Sequence, residues 1–445
     1  MSRAWSPERA ERHLRSLELF GMRFGLDRMH RMMTVLGSPE RSFQTIHVVG
    51  TNGKSSTTRM IAAILQRHGL RTGSYLSPHL VSYAERVQIE ERDIETHAFA
   101  AAIARAAWAA ERVNRTLAED DHVTQFELLT AAALWELARR EAQVVVVEAG
   151  LGGRYDATNV IDSTVAVLTN IGLEHTRWLG PTVADIATEK LAVLSPGSTL
   201  VLGARLQPEV LDLARKLAEE RGAHIAIAED APEQGPALGA RGSFQRANFA
   251  LARLAAQSYL NEAEIPLSEQ AVRAAASATS VPGRMQVVAR DPLTVLDGAH
   301  NPAATAALAE SLPELIGGRK LALVLGVLED KDAAAMLAKL LPLCERAWFT
   351  APPSQRALPP ATLLSLARQL GFEQAVCELA PVRALAVAQD WARTREGGAA
   401  VLATGSVYLV GDLLAQAREL GLSASVELPG EGSPRSGSAA AGGAS

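Results

Sequence analysis

The amino-acid sequence predicts an α/β protein built from two domains, on three observations. Short runs that are apolar at every position alternate with longer helical stretches, a pattern typical of parallel strands covered by helices on both faces. The chain has 445 residues, more than one hydrophobic core normally supports. A turn signal at 279–284, Thr-Ser-Val-Pro-Gly-Arg, ends an alanine-rich helix and precedes a new strand.

The composition indicates a globular protein and excludes several functional classes. Hydrophobic residues make up 48% of the chain and charged residues 21%, as in ordinary folded domains. The formal net charge of -5 leaves no overall positive field for nucleic acid or an anionic membrane. The two cysteines exclude a disulfide scaffold, and the N-terminus is polar without a following apolar stretch. We therefore expect a cytoplasmic protein that binds neither nucleic acid nor a membrane.

The first domain is predicted over residues 1–281 and contains one large parallel sheet. Each predicted strand is followed by a helical stretch, so both faces of the sheet are expected to be covered. The predicted strands are 46–49, 72–76, 144–147, 165–168 and 199–202.

The second domain is predicted over residues 282–427 and repeats the alternation on a smaller scale. Its predicted strands are 285–288, 294–296, 321–325, 347–349 and 400–403. The final stretch, 428–445, is dominated by Gly, Ser, Ala, Pro and Glu. It cannot bury enough apolar surface to order itself, which predicts a disordered tail.

A glycine-rich turn at 50–56, Gly-Thr-Asn-Gly-Lys-Ser-Ser, joins the first buried strand to a helix. Such a turn directs free backbone N–H groups and the positive end of the helix at one point. Lys54 adds a charge and a serine can hold a metal, so the turn predicts a triphosphate site. The complete P-loop spacing requires a glycine where the chain has Val48, and an ordinary strand-to-helix turn remains the alternative.

Titratable side chains follow two more strands of the first domain. Glu148 ends the strand at 144–147, where a buried carboxylate is costly unless it meets a cation such as magnesium. His175 follows the strand at 165–168. Ligands of open parallel sheets bind beyond the carboxyl ends of the strands, so Lys54, Glu148 and His175 are expected to converge. A salt-bridged carboxylate and a structural histidine remain the alternatives.

The second domain repeats this arrangement. Asp297 and His300 follow the strand at 294–296, and Asn301 precedes a proline that can begin a helix. Capping explains Asn301 but not Asp297 and His300. The turn at 404–406 can bind an anion or simply cap a helix. The predicted fold is therefore a P-loop parallel-sheet N-terminal domain with a smaller Rossmann-like α/β C-terminal domain.

Together these motifs resemble those of the folylpolyglutamate synthase/dihydrofolate synthase family, in the Mur ligase superfamily. The resemblance extends from about residue 25 to residue 411, nearly the whole of the chain before the tail. Its most specific segments are 50–56, 77–80, 148–159, 172–180, 189–190, 282–284, 296–302, 331–332 and 404–411.

The resemblance implies an ATP-dependent ligase whose active site lies between the domains. In that family a substrate carboxylate takes the γ-phosphate of ATP, and the amine of L-glutamate then displaces phosphate to form an amide. The implied substrates are ATP, L-glutamate and dihydropteroate or a reduced folate. The implied cofactors are ATP, two Mg²⁺ ions and a carbamate on Lys190, and the family implies a monomer.

The resemblance also assigns individual residues. Nucleotide binding is implied for Thr51, Asn52, Gly53, Lys54, Ser55, Ser56, Asn248, Arg284 and Asp297. Metal binding is implied for Ser77, Glu148, His175 and carbamylated Lys190. Substrate contacts are implied for Thr124, Phe126, Glu127, Arg154, His300 and Ser406. Catalytic roles are implied for Lys54, Lys190 and His300. The family usually has glycine at the position of Ser55, so whether Ser55 or Ser56 contacts the metal is open.

Three other functions fit the sequence less well. A Mur-type ligase acting on a UDP-linked substrate usually has a UDP-binding domain before the P-loop, and only 49 residues precede Gly50. A regulator or transporter that merely hydrolyses ATP leaves Lys190, Asp297 and His300 without a role. A folate carrier without activity has no need of the metal residues.

Overall fold

The computed structural model describes residues 5–17, 25–230, 235–417, 420 and 422–423. Within them the chain forms two sheets, which draw on the separate stretches 44–227 and 286–404. Helices cover both sheets, so the predicted α/β fold class is confirmed. The predicted tail at 428–445 lies outside the described residues.

The first sheet has eight strands: β1 (Gln44–Val49), β2 (Thr72–Tyr75), β3 (Val87–Ile89), β4 (Arg92–Asp93), β5 (Val144–Glu148), β6 (Val165–Leu168), β7 (Thr199–Leu202) and β8 (His224–Ile227). Their order is β4-β3-β2-β5-β1-β6-β7-β8. The strands from β2 to β8 in this order are parallel, and β3 and β4 add an antiparallel edge. The sequence patterns do not predict β3, β4 or β8, because these strands are short. In addition, β4 is exposed and β8 is not fully buried, so neither is a continuous apolar run.

The helices of the first domain are α1 (Pro7–Ser16), α2 (Asp27–Leu36), α3 (Lys54–Arg67), α4 (Thr96–Asn114), α5 (Gln125–Arg139), α6 (Thr176–Leu179), α7 (Val183–Leu191), α8 (Pro208–Arg221), α9 (Ser243–Glu262) and α10 (Glu269–Ala278). One face of the sheet is covered by α4 and α5, against which α1 and α2 pack. The other face is covered by α3, α9 and α10. Alanine-rich stripes on α4 and α5 permit this close helix packing.

The second sheet has six strands: β9 (Gln286–Arg290), β10 (Leu293–Leu296), β11 (Lys320–Leu325), β12 (Cys344–Phe349), β13 (Ala375–Cys377) and β14 (Ala399–Thr404). Its helices are α11 (Pro302–Ile316), α12 (Ala333–Leu340), α13 (Pro360–Gln369), α14 (Pro381–Arg393) and α15 (Val407–Ala415). The strand order is β13-β12-β11-β14-β10-β9, parallel except for the β10–β9 pair.

The strand orders determine which loops meet. In the first sheet β1 lies between β5 and β6, so the segments that follow these three strands are neighbours. In the second sheet β10 lies beside β14, which brings the segments after Leu296 and Thr404 together. None of the helices in the described ranges is long and apolar enough to cross a membrane.

Candidate active site

The glycine-rich turn between β1 and α3 is held tightly by its neighbours. Gly53 has a positive φ of 83°, and a Cβ there would lie 2.5 Å from Asn248 Oδ1 of α9. The backbone N–H groups of Thr51 and Asn52 donate to the carbonyl and side-chain oxygens of Asn170, at 2.9 Å each. Those two amides therefore position the loop. The N–H groups at the start of α3 have no acceptor in the preceding turn and remain available to an anion.

Two lysines meet at one carbonyl of this turn. Lys54 Nζ donates to the carbonyl oxygens of Gly50 and Thr51, both at 3.2 Å. Lys190 Nζ, from α7, donates to the same Gly50 oxygen at 2.8 Å. Burial lowers the pKa of Lys190 to about 7, and the nearby charge of Lys54 acts in the same direction. Lys190 is thus a buried amine that readily becomes neutral.

Glu148, at the end of β5, is fixed by residues from two other segments. Ser55 Oγ donates to Glu148 Oε1 at 2.8 Å, and the Ser77 N–H donates to Oε2 at 3.0 Å. Burial raises the pKa of Glu148, while the charge of Lys54 and these hydrogen bonds oppose the rise. It is Ser55, rather than the buried Ser56, whose hydroxyl contacts this carboxylate.

His175 lies at the same edge of the sheet, where its φ of 55° turns the chain into the short helix α6. Loss of hydration lowers the pKa of His175 to about 4, against the attraction of Glu174 and with the help of Lys54 and Lys190. Lys54 therefore acts electrostatically on both Glu148 and His175. The neutral imidazole keeps a lone pair that can bind a cation.

Glu174 links the two domains. Its Oε1 lies 3.0 Å from Lys331 Nζ and 3.4 Å from His300 Nε2, and its Oε2 accepts from Asn301 Nδ2 at 3.2 Å. Burial favours the protonated acid, but the hydrogen bond from His300 and the charges of His300 and Lys331 hold the pKa of Glu174 well below its usual range. The side-chain amides of Asn52 and Asn301 add a reciprocal pair of hydrogen bonds across the same gap, at 3.3 and 2.9 Å.

The strand end of β10 carries the second buried carboxylate. Asp297 accepts from the Met285 N–H at 2.8 Å and from the Ala299 N–H at 2.7 Å. Burial raises the pKa of Asp297, and the positive charge of Arg284 opposes the rise. Gly298 packs closely on one side of Arg284, since a Cβ at Gly298 would lie 2.5 Å from the Arg284 Nη1.

His300 and Ser406 lie on adjoining turns of the second domain. His300 Nδ1 is 2.8 Å from the Gly298 carbonyl oxygen, so both ring nitrogens face oxygen acceptors. Ser406 caps α15 by accepting from the Tyr408 N–H at 3.1 Å. The N–H of Gly405 donates to the Ala299 carbonyl at 3.0 Å, which ties the two turns together.

Comparison with known proteins identifies the family. Residues 48–231 match the Mur ligase middle domain, and residues 283–407 match the Mur ligase, glutamate ligase domain. The folylpolyglutamate synthase of Lacticaseibacillus casei is 33% identical over 356 residues, which cover 75% of this chain and 83% of that protein. The chain belongs to the folylpolyglutamate synthase/dihydrofolate synthase family.

Other members of this family agree in sequence and in structure. The dihydrofolate synthase/folylpolyglutamate synthase of Bacillus subtilis is 33% identical over 345 residues, covering 72% of this chain and 79% of that protein. The folylpolyglutamate synthase of Mycobacterium tuberculosis complexed with ADP superimposes with a TM-score of 0.86, at 30% identity, and covers 92% of this chain and 98% of that chain. Escherichia coli FolC in complex with DHPP and ADP gives a TM-score of 0.81 at 29% identity, covering 94% of this chain and 99% of that chain.

As a folylpolyglutamate synthase/dihydrofolate synthase, the chain is an ATP-dependent ligase that adds glutamate. The family and the activity predicted from the motifs are thereby confirmed, and the Mur-type alternative acting on a UDP-linked substrate is not supported. The roles assigned to individual residues stay predictions.

The residues expected near the pterin of a folylpolyglutamate synthase/dihydrofolate synthase fall into two groups. Thr124 and Glu127 form a reciprocal capping box at the start of α5, and Glu127 also accepts from Arg28 Nε at 3.0 Å. Phe126 packs on the glycine-rich segment after β5, where a Cβ at Gly150 would lie 2.4 Å from its ring. Arg154, on that segment, pairs with Glu189 at 2.9 Å. Thr124 and Glu127 thus hold the start of α5, whereas Phe126 and Arg154 lie at the glycine-rich segment.

Motif reasoning overlooked two acids of the site. Glu174 lies in the segment 172–180 but has no role in the motifs, although an acid between a strand end and His175 is a usable signal. Asp156 is buried and accepts from the Leu151 N–H at 2.7 Å and the Thr158 N–H at 3.0 Å, which folds the glycine-rich segment back on itself. Its pKa is raised by burial, while these hydrogen bonds oppose the rise.

Proposed function

We propose that this site uses ATP to convert a carboxylate of dihydropteroate or a reduced folate into an acyl phosphate, which the amine of L-glutamate then attacks. One observation carries the proposal. The segments after β1 and β6 meet the segment after β10 across the domain interface, through Asn52 and Glu174 on one side and His300 and Asn301 on the other. Glu148 ends the strand beside β1, and Ser406 follows the strand beside β10. A carboxylate is a poor acyl donor, and phosphorylation gives it a good leaving group.

The nucleotide is held from both domains. The free N–H groups of Lys54, Ser55 and Ser56, together with the Lys54 ammonium, bind the phosphates. Asn248 supports the glycine-rich turn from α9. Arg284 and Asp297 complete the site from the second domain, and the contact of Asn52 with Asn301 brings that domain to the nucleotide.

The residues around Glu148 fit magnesium. No three His, Cys, Asp or Glu side chains in the described ranges form a preassembled metal cluster. Magnesium commonly needs no such cluster, because it binds through one or two carboxylates, substrate phosphates and water. Glu148 supplies the carboxylate, with Ser77 beside it and His175 at the same edge. Bound magnesium would neutralise phosphate charge as the two anionic substrates approach.

Lys190 is proposed to carry a carbamate. Its Nζ is buried, and its pKa of about 7 leaves a large fraction of neutral amine at physiological pH. The nitrogen lone pair of that amine attacks the carbon of CO₂, and the nitrogen loses one proton. The product bears one negative charge, which converts a cation that repels magnesium into a ligand for it.

The incoming glutamate is proposed to lie against the second domain. His300 and Ser406 are on turns joined by the Gly405–Ala299 hydrogen bond, so one ligand can reach both. His300 also faces Glu174, whose Oε1 lies 3.4 Å from the His300 Nε2 and helps to orient the ring. Phe126 and Arg154, which lie at the glycine-rich segment after β5, are proposed to contact the pterin substrate. We further propose that the protein acts as a cytoplasmic monomer. Light scattering of the purified protein measures its mass and so tests whether it is a monomer.

The test is an assay of phosphate release by the purified protein with Mg²⁺-ATP, L-glutamate and either dihydropteroate or tetrahydrofolate. We expect release that requires both glutamate and at least one of the two acceptors, with the glutamylated product detected by mass spectrometry. Release that continues unchanged without glutamate and acceptor would contradict the proposal and indicate a simple ATPase. Comparing the two acceptors shows whether one or both activities are present.

A further inference from the structure

Arg59 is a cation for which the proposed reaction has so far no role. It lies on α3 four residues after Ser55, on the same face of the helix. Its side chain lines a narrow cavity between the two domains. Ser55 and His79 belong to the wall on the side of the first domain, and Arg284 and Val407 face them from the second.

The guanidinium of Arg59 has no acceptor within the part of the chain that the structure describes. The acids around it are bonded elsewhere. Glu85 accepts from the N–H groups of the turn at 80–82, and Asp93 accepts from Gln88 Nε2 at 2.6 Å. Glu148 accepts from Ser55 and from the backbone after β2. The charges of these three acids act on Arg59, but none of the acids bonds its guanidinium, so its donors are free for a ligand.

The charge of the cavity selects an anion. A partly buried guanidinium loses hydration, and only an anionic partner compensates this loss fully. Arg284 adds a second positive charge to the same cavity. Guanidinium groups bind carboxylates through paired N–H donors of matching geometry. The cavity is narrow enough to favour a single planar carboxylate over a larger group.

The position of the cavity indicates which carboxylate it receives. On one side it reaches Ser55, which bonds Glu148, and on the other it reaches Val407, the residue after Ser406. In the proposed function the phosphates of ATP are bound by the glycine-rich turn, so they do not need Arg59. We infer that Arg59 binds a carboxylate of the incoming L-glutamate and thereby selects this amino acid. This inference rests on the proposed function.

The test compares Arg59→Gln and Arg59→Lys with Arg67→Gln. Arg67 is the matched control, since it lies on the same helix and pairs with Glu91 away from the cavity. Loss of a charged hydrogen bond predicts that Arg59→Gln raises KM for L-glutamate roughly 10- to 100-fold. KM for ATP and kcat at saturating glutamate are expected to stay within about twofold, because the chemistry elsewhere is unchanged. Arg59→Lys retains the charge and is expected to fall between the wild type and Arg59→Gln.

Two results would overturn the inference. One is a KM for L-glutamate in Arg59→Gln that equals that of Arg67→Gln. The other is a rise in KM for ATP in place of KM for glutamate, which would assign Arg59 to a phosphate. If Arg59→Gln does not fold, Arg59→Lys decides, and an unchanged KM for glutamate in that variant would overturn the inference. Failure of the proposed function is separate, because the wild type would then show no glutamate-dependent phosphate release.

Discussion

Each of the two sheets ends in a buried carboxylate, but the two carboxylates are held differently. Glu148 is fixed by Ser55 and Ser77, which are 93 and 71 residues away in sequence. Asp297 is fixed by backbone N–H groups only 12 and 2 residues away. The first arrangement requires three segments of the chain to converge, whereas the second is a local turn.

The surroundings of the two carboxylates differ in the same sense. The first sheet edge places the charges of Lys54 and Lys190 near Glu148 and His175. The second edge offers Asp297 chiefly the charge of Arg284 and two backbone donors. These surroundings fit a first edge that handles charge in the proposed reaction and a second edge that orients the ligands.

Replacing Glu148 should have the largest effect. Glu148→Gln keeps the shape and can still accept the Ser77 N–H, but removes the negative charge proposed to hold magnesium. We expect kcat to fall by roughly 10³-fold or more, since electrostatic groups at the reacting centre contribute several kcal/mol. Phosphate release measures the loss, and an unchanged melting temperature shows that the fold is intact. Activity within tenfold of the wild type would remove Glu148 from the metal site.

Replacing Asp297 should have a smaller effect on a different constant. Asp297→Asn leaves one side-chain oxygen, which cannot replace both carboxylate oxygens as acceptors for the N–H groups of Met285 and Ala299. The substitution also removes the negative charge that faces Arg284. We expect a fall of roughly 100-fold in kcat/KM for ATP, from the loss of one oriented charged group. Steady-state kinetics with varied ATP measure it. A loss of kcat as large as that of Glu148→Gln would show that the two edges are equivalent.

The contact between the two sheet edges through Glu174 and Lys331 should contribute less to activity than either carboxylate. Lys331→Met removes the shortest contact of Glu174, and Glu174→Gln removes the negative charge. We expect each to reduce kcat/KM by roughly tenfold, because a single charged pair in a mostly buried position is lost. The double variant should lose little more than either single variant, since the residues act as one unit.

Lys339→Met is the matched control for that experiment, because Lys339 is an exposed lysine on α12 of the same domain. It is expected to keep wild-type kinetics. Additive losses in the Glu174 and Lys331 double variant would show that the two residues act independently.

The smallest effect on activity is expected below the first edge, at His47 in β1. Burial lowers the pKa of His47 to about 3, and its Nε2 lies 2.8 Å from Thr158 Oγ1. The folded ring therefore stays neutral while the unfolded ring gains a proton below its ordinary pKa of 6.5. The contribution of neutral His47 to the free energy of unfolding is fully present above pH 6.5 and is lost as the pH falls toward 3. Between pH 6.5 and 5 the loss is about 2 kcal/mol.

Urea unfolding of His47→Gln and of the wild type at these two pH values measures that loss. We expect the variant to lack most of the pH dependence and to keep the kinetic constants measured at neutral pH. His224→Gln, at an exposed position of β8, is the control and should retain the wild-type pH dependence. An identical pH dependence in His47→Gln would show that His47 is not responsible.

Much of the fold and part of the site could be predicted from the sequence because the signals are local. Apolar runs reveal the central parallel strands, and an acid placed directly after such a run marks Glu148 and Asp297. The edge strand β4 has no such signal, since it consists of two exposed charged residues. Thr124 and Glu127 show the limit of motif reasoning, because their spacing equally serves a helix cap.

The remaining features depend on how distant segments pack. Glu174 and Lys331 are 157 residues apart, and no local pattern indicates that they meet. The preference of Glu148 for Ser55 over Ser56 depends on the rotation of α3 against β5. The free guanidinium of Arg59 depends on where the nearby acids find their own partners. These properties require the coordinates of both domains together.

The carboxylate of Glu174 has a consequence for how the cleft opens. Three groups of the second domain, on Lys331, His300 and Asn301, end on this one anion, so their contacts form and break together. Substrate entry on this side of the cleft is therefore expected as an all-or-none step rather than a gradual widening. Both partners of the ion pair are only 10% exposed, so dissolved salt should change the frequency of that step very little.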